Sequence, residues 1–307
     1  RDDQGHGTHV AGIVASNDTN YKGVAPDAKL VALKVCDNTA GGNCAGSDII
    51  SAIDWCINNK TKFNISVITM SIGGGAYSGS CDSLAEANAS NIAVGNGLFF
   101  SIAAGNNGCS NTGCTTKISA PACASNVTAV GSVNSDDFIS SFSNRASFNT
   151  IFAPGDSITS TVPISGASQH TASSGFKTIS GTSMATPHVA GVAALMLQFN
   201  SSLSSLDIRN IMNDKGEVID DSGTAYKRVD ALAAIQVIDS VAPTWSGNAT
   251  NNLAPRKNYI VQFNITWNDA IGLSAYVFSW NDTGEWVNIT TGNLSGTSQS
   301  VSVNRNV

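Results

Sequence analysis

The sequence of 307 residues predicts an α/β fold, a doubly wound and mostly parallel sheet flanked by helices, followed by a small partial all-β domain. Two observations lead to this prediction. Over the first 240 residues short β-branched runs alternate with helical stretches, and afterwards alternating apolar and polar residues replace that texture. A β-α-β-α-β order is typical of a parallel sheet with helices on both faces. We therefore expect two domains, residues 1–240 and residues 241–307.

Four runs of the first domain are predicted to form strands, because they are largely apolar on both faces, as strands buried between two helix layers are. A helix is predicted over 47–59, since Ile49, Ile53 and Ile57 share one face. A weaker helix is predicted over 84–94. Parallel sheets of this kind carry their sites at the carboxyl ends of the strands. The predicted strands cover 29–35, 65–72, 98–104 and 127–133.

The second domain begins with a Pro-containing linker, 241–245. Residues 259–267 then alternate between apolar and polar side chains, which predicts a half-buried strand. Two further runs, 275–280 and 285–289, flank the turn sequence Asn-Asp-Thr-Gly at 281–284, which predicts a hairpin. We expect a small antiparallel, Ig-like domain that is incomplete, because the sequence ends inside a strand-like run.

The charge of the chain excludes some classes of partner. The net charge is -6, and charged residues make up only 12% of the sequence, without any cluster of Lys and Arg. A nucleic acid or an anionic membrane surface would require a basic patch, so we expect neither as a partner. The longest apolar helical segment, 189–199, is too short to span a bilayer, so no transmembrane segment is expected.

Seven cysteines lie in the first 123 residues, and an odd number leaves at least one thiol free. Cys36 with Cys44, and Cys109 with Cys114, each bracket a Gly/Asn loop that a disulfide would close, although the connectivity stays open. Cys56, inside an apolar helical pattern, is the candidate for a buried free thiol. Together with eleven Asn-x-Ser/Thr sequons, these cysteines indicate a secreted, extracellular protein.

Two segments carry residues suited to nucleophilic catalysis. His6 lies between glycines at the start of a predicted helix, and Ser183 follows a glycine turn at the start of another. A serine hydroxyl needs a nearby imidazole to accept its proton, and a helix amino end favours negative charge that develops there. Taken alone, Ser183 could be no more than a helix N-cap.

These segments resemble a known family. GHGTHVAGIVAS (5–16) and SGTSMATPHVAGVAAL (180–195) are similar to the histidine and serine motifs of the subtilisin-like (subtilase) serine proteases. MSIGGG (70–75) resembles the family's substrate-binding strand, and AAGNNG (103–108) its oxyanion segment. The resemblance covers roughly residues 1–240, and it implies a serine endopeptidase that acts on protein or peptide substrates.

The resemblance also implies a role for individual residues. His6 would be the general base and Ser183 the nucleophile, and Asn106 would donate its side-chain amide to the oxyanion. Small residues would let the substrate backbone approach and add to the sheet as a strand. The residues implied to bind the substrate backbone are Ser71, Ile72, Gly73, Ala104 and Gly105.

The family's third catalytic residue is an aspartate in an Asp-Thr/Ser-Gly segment on a strand well before the histidine, and only five residues of this sequence precede His6. Asp2 and Asp3 are the nearest carboxylates before His6. We expect the sequence to be truncated ahead of residue 1 and to hydrolyse peptides weakly or not at all. The resemblance allows calcium, but no Asp-rich calcium loop occurs, so no cofactor or metal is assigned.

The same residues also bear on other classes of protein and of site. An α/β-hydrolase places its histidine well after the nucleophile, whereas the only histidine after Ser183 is His188, five residues on. His9, His170 and His188 are expected to be packed helix histidines rather than metal ligands. A degenerate protease scaffold for adhesion and an esterase with the same triad are further hypotheses. The chain is expected to act as a monomer.

Overall fold

The computed structural model describes residues 2–38, 42–108, 117–148, 150–221, 223–238, 243–251, 260–269, 273, 275–281 and 285–306. The chain divides into two compact units, Arg1–Ala234 and Ile235–Val307. The predicted domain boundary at residue 240 lies outside the described residues and stays a prediction.

The first unit is built on a six-stranded sheet that is parallel except at one edge. The strand order is β1-β3-β5-β6-β10-β9, and only β10 and β9 pair antiparallel. This confirms the predicted mostly parallel sheet, and three of the predicted strands, 65–72, 98–104 and 127–133, are β1, β3 and β5. The strands are β1 (Val67–Met70), β3 (Phe99–Ala103), β5 (Thr128–Val133), β6 (Thr150–Pro154), β9 (Glu217–Asp221) and β10 (Thr224–Arg228).

Helices cover the sheet, and the predicted helices 47–59 and 84–94 correspond to α2 and α3. The longest apolar helix is α4, which packs against β1, β3, β5 and β6. Small residues such as Ala185 and Ala193, both fully buried, let its backbone lie close to the sheet. The helices are α1 (His6–Ala15), α2 (Gly46–Phe63), α3 (Ala85–Gly95), α4 (Thr182–Phe199), α5 (Ser205–Lys215) and α6 (Ala231–Gln236).

Two short antiparallel pairs flank the site end of this unit. β2 (Gly74–Tyr77), which follows the carboxyl end of β1, pairs with β4 (Ile118–Ala120). β7 (Ile158–Thr161) pairs with β8 (Phe176–Ile179), and α1 packs against β7.

The strand predicted over 29–35 is wrong, because this segment is neither a strand nor a helix. Leu30 and Val31 are 51% and 47% exposed, and no backbone hydrogen bond of these residues occurs within the described part of the chain. A strand exists only where a neighbour supplies ladder hydrogen bonds, and no described strand lies beside this segment. The apolar and β-branched pattern therefore indicates that the segment could pair with a neighbouring strand, but it does not show that such a neighbour is present.

The disulfides agree in part with the predictions. Cys36 bonds to Cys44, as predicted, and Cys56 is the predicted free and buried cysteine. Cys81 bonds to Cys123 across 42 residues, a pairing that spacing alone could not select. The predicted pair Cys109 and Cys114 lies outside the described residues.

The second unit is all-β, as predicted. A three-stranded antiparallel sheet has the order β11-β12-β15, and β13 and β14 form a separate pair, which confirms the predicted hairpin. Val301 and Val303 of the larger sheet are buried together with Leu294. The strands are β11 (Thr244–Thr250), β12 (Ile260–Asn268), β13 (Ala275–Trp280), β14 (Val287–Asn293) and β15 (Ser298–Asn306). The more specific Ig-like topology stays a prediction.

Candidate active site

His6 is the first residue of α1, which begins after a left-handed turn. Gly5 has a φ of 95°, and an added Cβ there would collide with the backbone carbonyl of His170, so only glycine fits. The side chain of Asp2 closes the turn, because its carboxylate accepts hydrogen bonds from the backbone N–H of Gly5 at 2.8 Å and Thr8 at 2.7 Å. Gly5 and the Asp2 carboxylate together fix the backbone position at which α1 begins, and therefore the position of His6.

Neither candidate carboxylate orients the imidazole of His6. Asp2 is engaged by the helix start, since it also accepts from the Thr8 hydroxyl at 2.7 Å. Asp3 forms an exposed ion pair with Lys34 at 3.5 Å. Within the described residues His6 has no ion pair and no side-chain hydrogen bond to a carboxylate.

Packing between α1 and α4 brings the predicted base and nucleophile to the same end of the unit. Val10 and Ile13 of α1 form a small core with Met184 of α4. Val10 lies one turn after His6 on the same helical face, and Met184 directly follows Ser183 in the sequence. The apolar contact therefore fixes the two helix starts relative to each other.

Ser183 is the second residue of α4, and Gly181 is the N-cap, so the interpretation of Ser183 as a mere N-cap is wrong. Its Oγ lies 3.4 Å from the Ser71 carbonyl oxygen, to which it donates. The Ser71 hydroxyl in turn donates to the Ser183 carbonyl at 2.8 Å. These reciprocal bonds join the end of β1 to the start of α4, and the Ser71 hydroxyl is a contact that the sequence pattern did not predict.

Asn106 faces the same helix start from the end of β3. Its Oδ1 accepts from the backbone N–H of Thr182 at 2.8 Å and from the Thr182 hydroxyl at 2.9 Å. This leaves the Nδ2 donor directed away from Thr182. Nδ2 and the backbone N of Ser183 lie 3.5 and 3.6 Å from the position that a Cβ on Gly181 would occupy. The two predicted oxyanion donors therefore converge on one small space in front of α4.

The residues implied to bind the substrate backbone lie on both sides of this space. Ser71, Ile72 and Gly73 follow β1, and a Cβ on Gly73 would approach Ser119 to 3.1 Å. Gly73 is exposed and its neighbours are half-buried, so this segment is accessible.

Ala104 and Gly105, which follow β3, are held by internal bonds. The Ala104 N–H donates to the Val130 carbonyl at 2.9 Å, and the Gly105 N–H donates to the Thr182 hydroxyl at 3.2 Å. An added Cβ on Gly105, whose φ is 109°, would collide with the side chains of Ser119 and Asn144. Ser119 and Asn144 therefore lie directly against Gly105, and no sequence motif predicted either contact.

The His6 imidazole lies in an environment that disfavours its charged form. The pKa of His6 is lowered from 6.5 to about 4, chiefly by burial and additionally by the nearby imidazoles of His170 and His9, whereas Asp2 acts in the opposite direction. At neutral pH the imidazole is therefore unprotonated, the form that can accept a proton.

The prediction of a packed helix histidine is confirmed for two of the other three histidines and wrong for the third. His9 is fully buried with Nε2 2.9 Å from the Lys177 carbonyl, and Nδ1 of His188 lies 2.8 Å from the Met184 carbonyl. Both are packed helix histidines, as predicted. The prediction for His170 is wrong, because this residue lies in the loop between β7 and β8. Its ring centroid is 6.3 Å from that of His6.

Within the described part of the chain no three His, Cys, Asp or Glu side chains converge on a metal position. No helix there is long and apolar enough to cross a membrane. The calcium that the resemblance allows stays a prediction.

The fold and the site together define a class of hydrolase with a serine at the start of a central helix and a histidine on a neighbouring one. A model of the subtilase family matches residues 1–235. The chain therefore belongs to the subtilase family.

Individual relatives agree. The chain is 39% identical over 212 residues to subtilisin E of Bacillus subtilis, which covers 68% of this chain and half of that relative's length. It is 39% identical over 237 residues to subtilisin DY of Bacillus licheniformis, covering 76% of this chain and 78% of the relative. A solved cold-adapted subtilisin-like serine proteinase superposes with a TM-score of 0.58 at 35% identity, covering 78% and 76% of the two chains.

Proposed function

We propose that this protein is a serine endopeptidase that hydrolyses peptide bonds through an acyl-enzyme intermediate. One observation carries the proposal: the Asn106 Nδ2 and the Ser183 backbone N lie 3.5 and 3.6 Å from one point, the position of a Cβ on Gly181, at the helix start that carries Ser183. A scaffold for adhesion has no use for two such donors next to a serine. The subtilase relatives support the same activity.

In the proposed reaction the Ser183 Oγ attacks the scissile carbonyl carbon while His6 accepts the hydroxyl proton. The carbonyl oxygen becomes an oxyanion, which the Asn106 Nδ2 and the Ser183 N–H stabilise. When the C–N bond breaks, His6 returns the proton to the departing amine. Water then attacks the acyl-enzyme, with His6 again as base, and releases the acid and the free serine.

The accessible segment formed by Ser71, Ile72 and Gly73 is proposed to bind the substrate as an added strand. Backbone groups bind an extended peptide irrespective of its side chains, so this contact supports activity on proteins rather than on one small molecule. Ala104 and Gly105 are proposed to line the same cleft. Their own N–H groups are engaged internally, so they contribute shape rather than donors.

We further propose that the carboxylate that orients His6 is supplied from outside residues 1–307. Two observations support this. No described carboxylate bonds to His6, and the outer edge of β1 has no described neighbour, while Leu30, Val31 and Leu33 are apolar side chains that stay exposed. Loss of the orienting aspartate costs about 3 × 10⁴ in turnover in subtilisin, so residues 1–307 alone are expected to be nearly inactive.

Secretion is part of the proposal. Two disulfides, Cys36–Cys44 and Cys81–Cys123, persist in oxidising surroundings, as found outside the cytoplasm.

The test compares casein hydrolysis by residues 1–307 with hydrolysis by a form extended upstream of residue 1. The extended form is expected to be about 10⁴-fold faster, and Ser183→Ala is expected to abolish hydrolysis and fluorophosphonate labelling in both forms. Unchanged hydrolysis by the alanine variant would contradict the protease function. Fast hydrolysis by residues 1–307 would instead contradict only the external carboxylate, and turnover of short esters without casein would indicate an esterase.

A further inference from the structure

The proposed oxyanion donor, Asn106, lies on a segment without regular secondary structure. Residues 104–108 follow β3 and form neither a strand nor a helix, and both Asn106 and Asn107 are exposed. The Asn106 side chain is fixed at one atom, its Oδ1, which accepts from the backbone and the hydroxyl of Thr182. A donor stabilises an oxyanion effectively only when it is held in place before the charge develops. The backbone that carries Asn106 therefore needs a support of its own.

Asn144 supplies this support from a different segment of the chain. Its Oδ1 accepts from the Asn107 N–H at 3.0 Å, and its Nδ2 donates to the Asn107 Oδ1 at 2.9 Å. The backbone N–H of Asn144 donates to the Gly105 carbonyl at 2.9 Å. These three hydrogen bonds, the Asn144 clamp, hold the residue before Asn106 and the residue after it.

The residue that forms the clamp is itself held in place. Asn144 is 2% exposed, and the preceding residue, Ser143, is fully buried. The Ser143 hydroxyl accepts from the backbone N–H of Ser132 in β5 at 2.9 Å, which joins this segment to the central sheet. The Asn144 Nδ2 also donates to the Ser119 hydroxyl at 3.4 Å. A buried amide whose donor and acceptor are both engaged keeps one orientation. The clamp is therefore anchored on the sheet.

We propose that Asn144 is a positioning residue of the oxyanion hole, which holds the Asn106 Nδ2 at the place where the oxyanion forms. This role rests on the proposed function, because without the proposed acyl transfer no oxyanion arises. Asparagine suits the position, since its side chain presents a donor and an acceptor side by side, which match the side-chain oxygen and the N–H of Asn107.

The role of Asn144 is indirect, and this gives it a kinetic signature. Its side chain bonds to Asn107 and Ser119 and acts on the reaction only through the position of Asn106. The oxyanion contact forms in the transition state, so a displaced donor lowers kcat and leaves KM nearly unchanged. A residue that only stabilised the fold would lower the free energy of unfolding without lowering the kcat of the folded enzyme.

The test uses the variants Asn144→Ser and Asn144→Leu in a form, extended upstream of residue 1, that hydrolyses peptides. Serine shortens the side chain, whereas leucine keeps a similar volume beside Gly105 without the hydrogen bonds. Each variant is expected to lower kcat about tenfold with little change in KM, because a displaced donor loses part of the factor of about 10²–10³ that its removal costs.

Ser140→Ala is the matched control. It removes a buried hydrogen bond between the hydroxyls of Ser140 and Ser132, at 2.8 Å, from the same part of the fold and leaves the clamp intact. Its kcat is expected to be unchanged. Circular dichroism and thermal unfolding establish that each variant folds. Wild-type kcat in both folded Asn144 variants would overturn the positioning role.

A double-mutant cycle with Asn106→Ala separates positioning from a general effect on the site. Without the Asn106 donor there is nothing left to position, so Asn144→Ser is expected to change kcat less than about twofold in that background. An equal loss in both backgrounds would overturn the positioning role and leave the protease function standing. Full kcat in Asn106→Ala would contradict the oxyanion role of Asn106 and the positioning role together. Hydrolysis by Ser183→Ala would contradict the protease function itself.

The clamp can also be measured without turnover. In residues 1–307 the Asn107 amide is expected to exchange with solvent at least about tenfold more slowly than in a freely exposed chain, because its N–H donates to a buried side chain. Amide exchange followed by NMR measures this rate, and Asn144→Leu is expected to remove the protection. Unprotected exchange of the Asn107 amide in the folded wild type would overturn the clamp, whatever the activity of the variants.

Discussion

β3 and the segment 29–35 have the same kind of sequence and different structures. Both are short, apolar and β-branched or aromatic, and both were predicted to be buried strands. In β3, Phe99 and Phe100 are 1% and 0% exposed, with β1 on one side and β5 on the other. In 29–35, Leu30 and Leu33 are 51% and 38% exposed, and no described strand is adjacent.

The difference teaches that an apolar strand pattern predicts the capacity to pair with another strand, and that the presence of a neighbouring strand decides whether pairing occurs.

The candidate site shows the same contrast. Ser183 and Asn106 have their partners, Ser71 and Thr182, within the described residues. The imidazole of His6 has no such polar partner among the described residues. Within that part of the chain the serine and the asparagine therefore have hydrogen-bond partners for their side chains, and the histidine does not.

The largest difference expected between β3 and the segment 29–35 is in the rate of amide hydrogen exchange. Amides of β3 should exchange at least about 10³-fold more slowly than those of 29–35, because β3 opens only with the core whereas the segment forms no backbone hydrogen bond within the described residues. The measurement is exchange followed by mass spectrometry of peptides from the chain. Comparable protection of both segments would contradict the described structure, and protection of 29–35 only in an upstream-extended form would confirm a missing neighbour.

Much of the fold was predictable from local patterns. The helix stripe of Ile49 and Ile53, the two-faced apolar run of β3 and the hairpin around 281–284 each depend on residues close in sequence, and each was found. The pairing of Cys81 with Cys123 was not predictable, since 42 residues separate the two and only the fold brings them together.

The candidate site was predictable as far as its motifs reach. His6, Asn106 and Ser183 were selected from contiguous motifs, and the structure brings Asn106 and Ser183 to one space. The hydrogen bond of the Ser71 hydroxyl to Ser183 and the position of His170 beside His6 were not predicted, because each contact joins positions more than a hundred residues apart. The motifs predict which residues belong to the candidate site, and tertiary packing decides which other side chains contact them.

Asn106→Asp tests the serine side. Aspartate keeps the Oδ1 acceptor for Thr182 but replaces the Nδ2 donor with a second acceptor, so the oxyanion loses a partner and gains a repelling charge. We expect kcat to fall by about 10²–10³, the cost measured for an oxyanion-hole donor in subtilisin, with little change in KM. The assay is peptide hydrolysis by an active form. Thr182→Ser, which keeps the hydroxyl, is the control, and an Asp variant with full kcat would contradict the assignment of Asn106.

The titration of His6 tests the histidine side. The pKa of His6 should be about 4, because burial and the neighbouring imidazoles of His170 and His9 disfavour the cation. The folded chain then binds fewer protons than the unfolded chain between pH 4 and 6.5. The stabilising contribution is thus full above pH 6.5 and is lost as the pH falls through 4.

The measurement is an NMR titration in which His6→Gln identifies the signal. An orienting carboxylate in an extended form should raise the midpoint, since it stabilises the imidazolium. A midpoint at or above 6.5 in residues 1–307 would show that a partner for His6 is already present within the chain.

The smallest expected effect is the difference in unfolding free energy between the variants Gly5→Ala and Gly7→Ala. Gly5 has a φ of 95° and lies against the His170 carbonyl, so alanine should cost about 1–3 kcal/mol of unfolding free energy. Gly7 is helical and exposed, and an added Cβ would lie 3.5 Å from Asp2 Oδ2, an ordinary contact. Alanine there should stabilise by about 0.5–1 kcal/mol, because it lowers the entropy of the unfolded chain. Urea unfolding measures both, and equal effects would show that the loop carrying His170 does not hold the start of α1.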